Sequence, residues 1–210
     1  MNTVKKMTGI LSAVLISGTA AAAPIYTGIN SNPGGFGAGT EVGNSLFLDV
    51  SGYDASVTNV GNMNILDTIN FTVTAPTGMT IQSFTYTEGL KSTIVGPGVT
   101  IAAGTLVIDS TSFDLGTQVN SGPTNAFFTL GMPATAVNKQ SISVHITNQV
   151  TAVGTGPGTT HLQKGVLTGD VLQQPEFSVT FAPVPLPPAA WMLGSALVGL
   201  VTVGRRKLGV

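Results

Sequence analysis

From residue 67 onward, apolar side chains recur at every second position in short runs, and this pattern limits the fold more than any other feature of the chain. Ile69, Phe71 and Val73 alternate in DTINFTVTA, Phe84 and Tyr86 in IQSFTYTE, and Ile142, Val144 and Ile146 in SISVHITNQV. Threonine fills many of the intervening positions. A period of two with β-branched and aromatic residues describes a strand with one face buried and the other wet. Further candidates are residues 45–51, 99–110, 126–132, 166–172 and 177–183. Gly-Pro punctuation (PGG, GPG, SGP and GPG again) breaks the chain between them, and no window carries a 3.6-residue stripe. Eight short strands with turns between them predict an all-β antiparallel sandwich, of which the jelly roll is one form. Pro76-Thr77-Gly78 suits a tight turn, so residues 67–88 are expected to form a hairpin. Residues 27–44, TGINSNPGGFGAGTEVGN, read as a loop or flexible entry.

The charges divide the chain into three parts. All nine acids lie between Glu41 and Glu176, offset there by Lys91, Lys139 and Lys164, which leaves the middle at −6. The remaining cations, Lys5, Lys6, Arg205, Arg206 and Lys207, stand near the two ends. An acidic body of this kind repels phosphate, so nucleic acid is disfavoured as a partner. No cysteine is present, which removes disulfides, thiol nucleophiles and thiolate metal sites.

Lys5 and Lys6 precede an apolar stretch from Met7 to Ile16, followed by small residues up to Ala23. This is the layout of a secretory signal peptide over residues 1–22, with Ala20 and Ala22 forming the cleavage site. Residues 23–182 would then be the exported β domain. At the other end, Ala189 to Gly204 holds 16 uncharged residues before Arg205-Arg206-Lys207. As a helix it reaches about 24 Å, short of a ~30 Å hydrocarbon core unless the arginines snorkel or the bilayer thins. Flanking cations stay on the cytoplasmic side, which leaves the acidic body outside. The competing reading packs this segment into the domain core, but it lacks the polar face such a helix carries.

The order of proline motif, apolar helix and basic cluster within residues 184–210 resembles the PEP-CTERM sorting signal, in its variant beginning Val-Pro-Leu-Pro followed by Trp. Val184, Pro185, Leu186, Pro187 and Trp191 carry the resemblance, and Arg205, Arg206 and Lys207 close it. The resemblance implies export in a Gram-negative bacterium, transient anchoring in the inner membrane, and cutting near the prolines by an exosortase. It further implies an association with exopolysaccharide or biofilm. Leu186 stands where the commonest form has Glu. Independently of the name, proline fixes φ and removes a donor, so residues 183–188 should be extended and unable to join a helix or sheet interior.

Catalytic and metal chemistry is sparse. His145 falls mid-strand on the face opposite Val144 and Ile146, which predicts a solvated position, and His161 falls in an expected loop. No G-x-S-x-G or phosphate-binding loop occurs, and GGFGAG at 34–39 lacks the strand and helix that dinucleotide binding requires. Asp49 with Asp54, or Asp109 with Asp114, could lend oxygens to Ca²⁺ or act as a glycosidase pair, against the default of solvated turn acids. The leading expectation is an exported, non-enzymatic surface or matrix protein without a cofactor. The alternative is a carbohydrate-binding module on a plain anchor, which would want an exposed aromatic platform. Tyr26, Tyr53 and Tyr86 are the tyrosines available for one.

Overall fold

The computed structural model describes residues 23–31, 34–167, 171–172 and 174–185, together with 189, 192–193 and 195–196. The expected signal segment with Ala20 and Ala22, and Leu186, Pro187, Trp191, Arg205, Arg206 and Lys207, lie outside the described residues. Most of the expected helix 189–204 does too. Twelve strands are described: β1 (Ile25–Ser31), β2 (Gly39–Val42), β3 (Ser45–Leu48), β4 (Asp54–Thr74), β5 (Met79–Val95), β6 (Gly98–Ile108), β7 (Thr111–Ser121), β8 (Thr124–Lys139), β9 (Ser141–Lys164), β10 (Val166–Leu167), β11 (Val171–Leu172) and β12 (Glu176–Pro183). Every pairing among them is antiparallel. The expected all-β antiparallel class is therefore what the chain adopts.

The strands make two layers. In one, β1, β4, β9, β6 and β7 are neighbours in that order; in the other, β8, β5, β12, β3 and β2. Alternation supplies the inner faces, as the sequence predicts: Ile69, Phe71, Val73, Ile142, Val144 and Ile146 are buried in the first layer and Phe84, Tyr86, Phe177 and Val179 in the second. The layers meet through aromatic rings. Phe71 stands edge-on to Phe177 at 5.3 Å, and Phe84 meets Phe113 of β7 at 5.6 Å. Phe71, Phe84 and Phe177 are buried, and each contributes about 1.5–3 kcal/mol.

The expected hairpin over 67–88 does not form. Its turn is present, with Met79 N–H donating to the Pro76 carbonyl at 3.0 Å. Yet β4 pairs with β1 and β9, whereas β5 pairs with β8, β9 and β12. Residues 75–78 thus arch from one layer to the other, and the two strands turn their apolar faces toward each other across the core. A short turn joins neighbours in either geometry, and alternation reports the face of a strand but not its partner.

The long strands are bent along one line. On β4 the break is Asn59, at φ 65°, where the register with β9 shifts; on β9 it is Gly156-Pro157-Gly158. Gly96-Pro97 separates β5 from β6, and Gly122-Pro123 separates β7 from β8. These breaks lie side by side: Thr155 N–H donates to the Pro97 carbonyl at 3.1 Å, and Gly122 N–H to the Gly98 carbonyl at 3.0 Å. A Cβ on Gly158, at φ +136°, would stand 1.7 Å from the Val95 carbonyl oxygen, so the strands touch here backbone to backbone. The ladder runs on past the corner, since β9 pairs with β6 over residues 144–154 and with β5 over 159–164. The bend is sharp. Asn148 and Lys164 would be ~50 Å apart on a straight strand, yet both bond to the carboxylate of Glu88.

Two further expectations need correction. Residues 27–44 are not a loop, because β1 and β2 occupy half of the segment and Phe36 is buried between them. The buried Asp67 holds that stretch, its Oδ2 accepting the N–H groups of Gly35 and Phe36, each at 2.8 Å. The glycine-rich turn is thus a backbone nest filled by the protein's own carboxylate. Residues 166–172 are not one strand: β10 and β11 pair with each other.

Candidate functional site

The outer face of the first layer carries a ladder of polar side chains. Across β4 and β9 the opposed pairs are Asn64 with Thr151, Leu66 with Gln149, Thr68 with Thr147, Asn70 with His145, Thr72 with Ser143, and Thr74 with Ser141. These are the odd partners of the inward apolar set, so one period of two places Ile and Val inside and Thr, Asn and Ser outside. Many of the rungs are closed by hydrogen bonds. Thr151 Oγ1 and Gln149 Nε2 donate to Asn64 Oδ1 at 2.8 and 2.9 Å, and Thr68 and Thr147 share a bond of 3.3 Å. His145 bonds through Nδ1 to Asn70 Oδ1 and through Nε2 to Thr147 Oγ1. It is solvent exposed, as its strand position predicts.

A shallow cleft of about 410 Å³ opens at this end of the ladder, lined by Gly28, Asn70, Thr72, Asp109, Ser143 and His145 among others. Asp109 sits at the β6–β7 turn, where its Oδ1 accepts Ser143 N–H and its Oδ2 pairs with Lys139 at 2.5 Å. Those two contacts, the lysine first, hold its carboxyl below the usual carboxylate range. The cleft therefore offers a fixed carboxylate, an imidazole, and hydroxyl and amide groups.

The sequence-predicted acids are engaged separately. Asp49 accepts Ser51 N–H at 2.9 Å, Asp114 accepts Gly116 N–H at 2.8 Å, and Asp54 bonds His161 at 2.6 Å. Among the described residues no three His, Asp or Glu side chains gather to hold a metal. His161, expected in a loop, lies on β9, because the GPG that announces a turn is a corner within one strand. Tyr26, Tyr53 and Tyr86 are all buried, and burial raises each hydroxyl's pKa. None of the three can form an exposed platform.

The sorting-motif residues that are described lie at the end of β12. Pro183 pairs with Met79, Val184 N–H donates to the Gly78 carbonyl at 2.9 Å, and Val184 and Pro185 are exposed. Ala189, Met192, Leu193, Ser195 and Ala196 are helical, with Met192 and Leu193 exposed. Among the described residues no helix is long and apolar enough to cross a membrane.

Sequence reasoning missed a buried polar cluster between the layers. Glu88 of β5 accepts Lys164 Nζ on Oε1 at 2.7 Å, and on Oε2 it accepts Tyr86 Oη at 2.7 Å and Asn148 Nδ2 at 2.6 Å. Lys164 also stands 5.1 Å from the centre of the Tyr53 ring. Burial pushes the Lys164 ammonium below the usual lysine range, against the opposing pull of Glu88. The signal was available in strand parity: Glu88 continues the inward set Phe84, Tyr86, and Lys164 continues Thr160, Leu162.

No protein-family model matches the chain, and no curated protein matches it. Among solved structures, similarity is found to the carbohydrate-binding module TmCBM61 in complex with β-1,4-galactotriose, at 10% identity and a TM-score of 0.26, covering 66% of this chain and 71% of that one. The enzymatically active domain of bacteriophage CBA120 tailspike protein 4 is 16% identical with a TM-score of 0.23, over 75% of this chain and 19% of that one. Infectious bursal disease virus strain Gx is 13% identical with a TM-score of 0.20, over 79% and 53%. Scores this low carry no argument about ligands.

Proposed function

We propose that this protein is exported, serves without enzymatic activity at the cell surface or in the extracellular matrix, and is cut near Val184-Pro185-Leu186-Pro187 by an exosortase. An N-terminal signal peptide delivers it, and the 189–204 helix holds it briefly in the inner membrane with Arg205, Arg206 and Lys207 in the cytosol. The observation that carries the reading is the arrangement of the tail: a proline motif, an apolar run and a basic cluster, beginning where β12 ends and Val184 and Pro185 come into solvent. An extended, exposed segment beside a compact body is accessible to a membrane-embedded protease. Intact-mass measurement of the exported protein, with and without the candidate exosortase, tests this. Loss of residues beyond about 184 only when the enzyme is present supports the reading. A tail retained in both cases means a plain anchor.

Within that role, the polar ladder of β4 and β9 is the surface for association with exopolysaccharide. Its hydroxyl and amide groups repeat about every 4.8 Å across strands and every ~6.8 Å along them, a fixed grid for a hydroxyl-rich polymer. Glycan-array binding is expected, and it should weaken in Asn70→Ala and His145→Ala, whose stability should stay within about 0.5 kcal/mol of the parent. A flat array retires the carbohydrate reading and leaves the export reading standing.

A further inference from the structure

We propose that Lys164 and Asn148 become joined by a side-chain amide bond that the protein makes itself, with Glu88 carrying the proton. The buried cluster provides a nucleophile, an electrophile and a general acid–base. Glu88 holds one group on each oxygen: Lys164 Nζ lies 2.7 Å from Oε1, and Asn148 Nδ2 lies 2.6 Å from Oε2. All three side chains are buried, as are Tyr53 and Tyr86 beside them. Water is therefore excluded, and both reacting groups are held on one carboxylate, which lowers the entropic part of the barrier to amide exchange. Asn148 Oδ1 is buried and has no hydrogen-bond partner, so the amide is held only by its nitrogen side. An ordinary structural asparagine in this position would have both ends satisfied.

The step balances without an oxidant or a cofactor. A proton passes from the Lys164 ammonium to Glu88 across their hydrogen bond, leaving a neutral amine. Burial favours that form, since it disfavours charge on a lysine. Nζ then attacks the Asn148 Cγ, and the Cγ–Oδ1 π pair moves onto oxygen. As that pair returns, the Cγ–Nδ2 bond breaks. Rotation of the carboxyl about Cγ–Cδ carries its proton to the Asn148 side; the unprotonated oxygen then takes one N–H proton of the attacking amine as the protonated one delivers to the departing nitrogen, which leaves as ammonia. Glu88 ends in the state in which it received the lysine proton. Tyr86, whose hydroxyl bonds both Glu88 Oε2 and Asn148 Nδ2, is a positioning residue for the leaving side.

The product would tie the two halves of β9 together across the corner, joining the layers in a chain that has no cysteine. This inference does not depend on how the tail is processed. The test is peptide mapping of the purified, folded full-length protein. Trypsin should cut after Lys139 but not after Lys164. The peptide beginning at Gln140 should be one ammonia lighter than its sequence, with the loss confined by its fragment ions to the span from Asn148 to Lys164, which itself yields no internal fragments; a loss placed on Gln140 is only cyclisation of that N-terminal glutamine. Lys164→Arg and the isosteric Glu88→Gln should restore the full mass. A wild-type peptide of full mass ending in a free Lys164 overturns the proposal, and a linked peptide in Glu88→Gln overturns the role given to Glu88. With Lys164 uncut, the linked peptide runs from Gln140 to Arg205, or to the new C-terminus where the tail is cut, and the deficit of one ammonia is read against whichever end is found.

Discussion

Two lysine–carboxylate pairs of nearly equal length sit at opposite extremes of environment. Lys164–Glu88 spans 2.7 Å with both side chains fully buried; Lys139–Asp109 spans 2.5 Å with 53% and 32% of the side-chain surface exposed. Coulomb attraction alone would rank them together. Water separates them. At the surface, solvent and mobile ions screen the pair, and each partner is hydrated without the other. In the interior water is no alternative partner for either group, so the pair has to be complete, with Tyr86 and Asn148 satisfying what the lysine leaves open.

Removing one member should therefore have very different consequences in the two places. Lys164→Ala leaves Glu88 buried without its lysine partner, and without the link that lysine can form to Asn148, and should cost about 3–5 kcal/mol in denaturant unfolding. A loss below 1 kcal/mol would mean that the interior is wet and the contrast is false. A smaller effect is expected at the corner that brings Lys164 back toward Asn148. Gly158→Ala places a side chain at φ +136° against the Val95 carbonyl and should cost about 1–3 kcal/mol, read as a lowered unfolding midpoint. Lys139→Ala should cost under about 1 kcal/mol, and less in high salt. A double-mutant cycle on each pair sharpens the comparison, with the larger coupling energy expected in the buried one.

Acid titration gives the smallest signal. The Asp109 carboxyl lies below its ordinary value of 3.8 in the folded protein, so the unfolded chain takes up its proton first as pH falls. Its contribution is complete above 3.8 and drains away as pH drops from there through the lower folded value. In Asp109→Asn that part of the acid dependence should vanish while stability at neutral pH changes by under about 1 kcal/mol. An unchanged acid profile would mean that Asp109 gains nothing from Lys139.

The fold class was legible because it depends on local pattern. Ile69, Phe71 and Val73, and likewise Ile142, Val144 and Ile146, turn inward wherever their strands end up. Less legible were the first half of β4, β7 and much of β8. Val60, Met63 and Val119 there are exposed, so the alternation that marks a strand is faint. The two GPG motifs and SGP are visible as punctuation, but locally each reads as a connection between strands. Their alignment into one corner needs the register of four strands, which no segment encodes alone. Half of the candidate face was legible too, in that His145 was placed on the outer side; its partnership with Asn70 was not, because those residues are 75 positions apart.

By itself the sequence determined that the chain is antiparallel β and which side of the clearest strands is buried. Those are consequences of side-chain period, which acts within a few residues. Only the tertiary structure decided that residues 75–78 arch between layers and that β9 folds back on itself. It alone set Glu88, Asn148 and Lys164 at one point in the interior. Pairing and register come from contacts between distant segments, where burying a complete set of inner faces outweighs what any turn prefers locally.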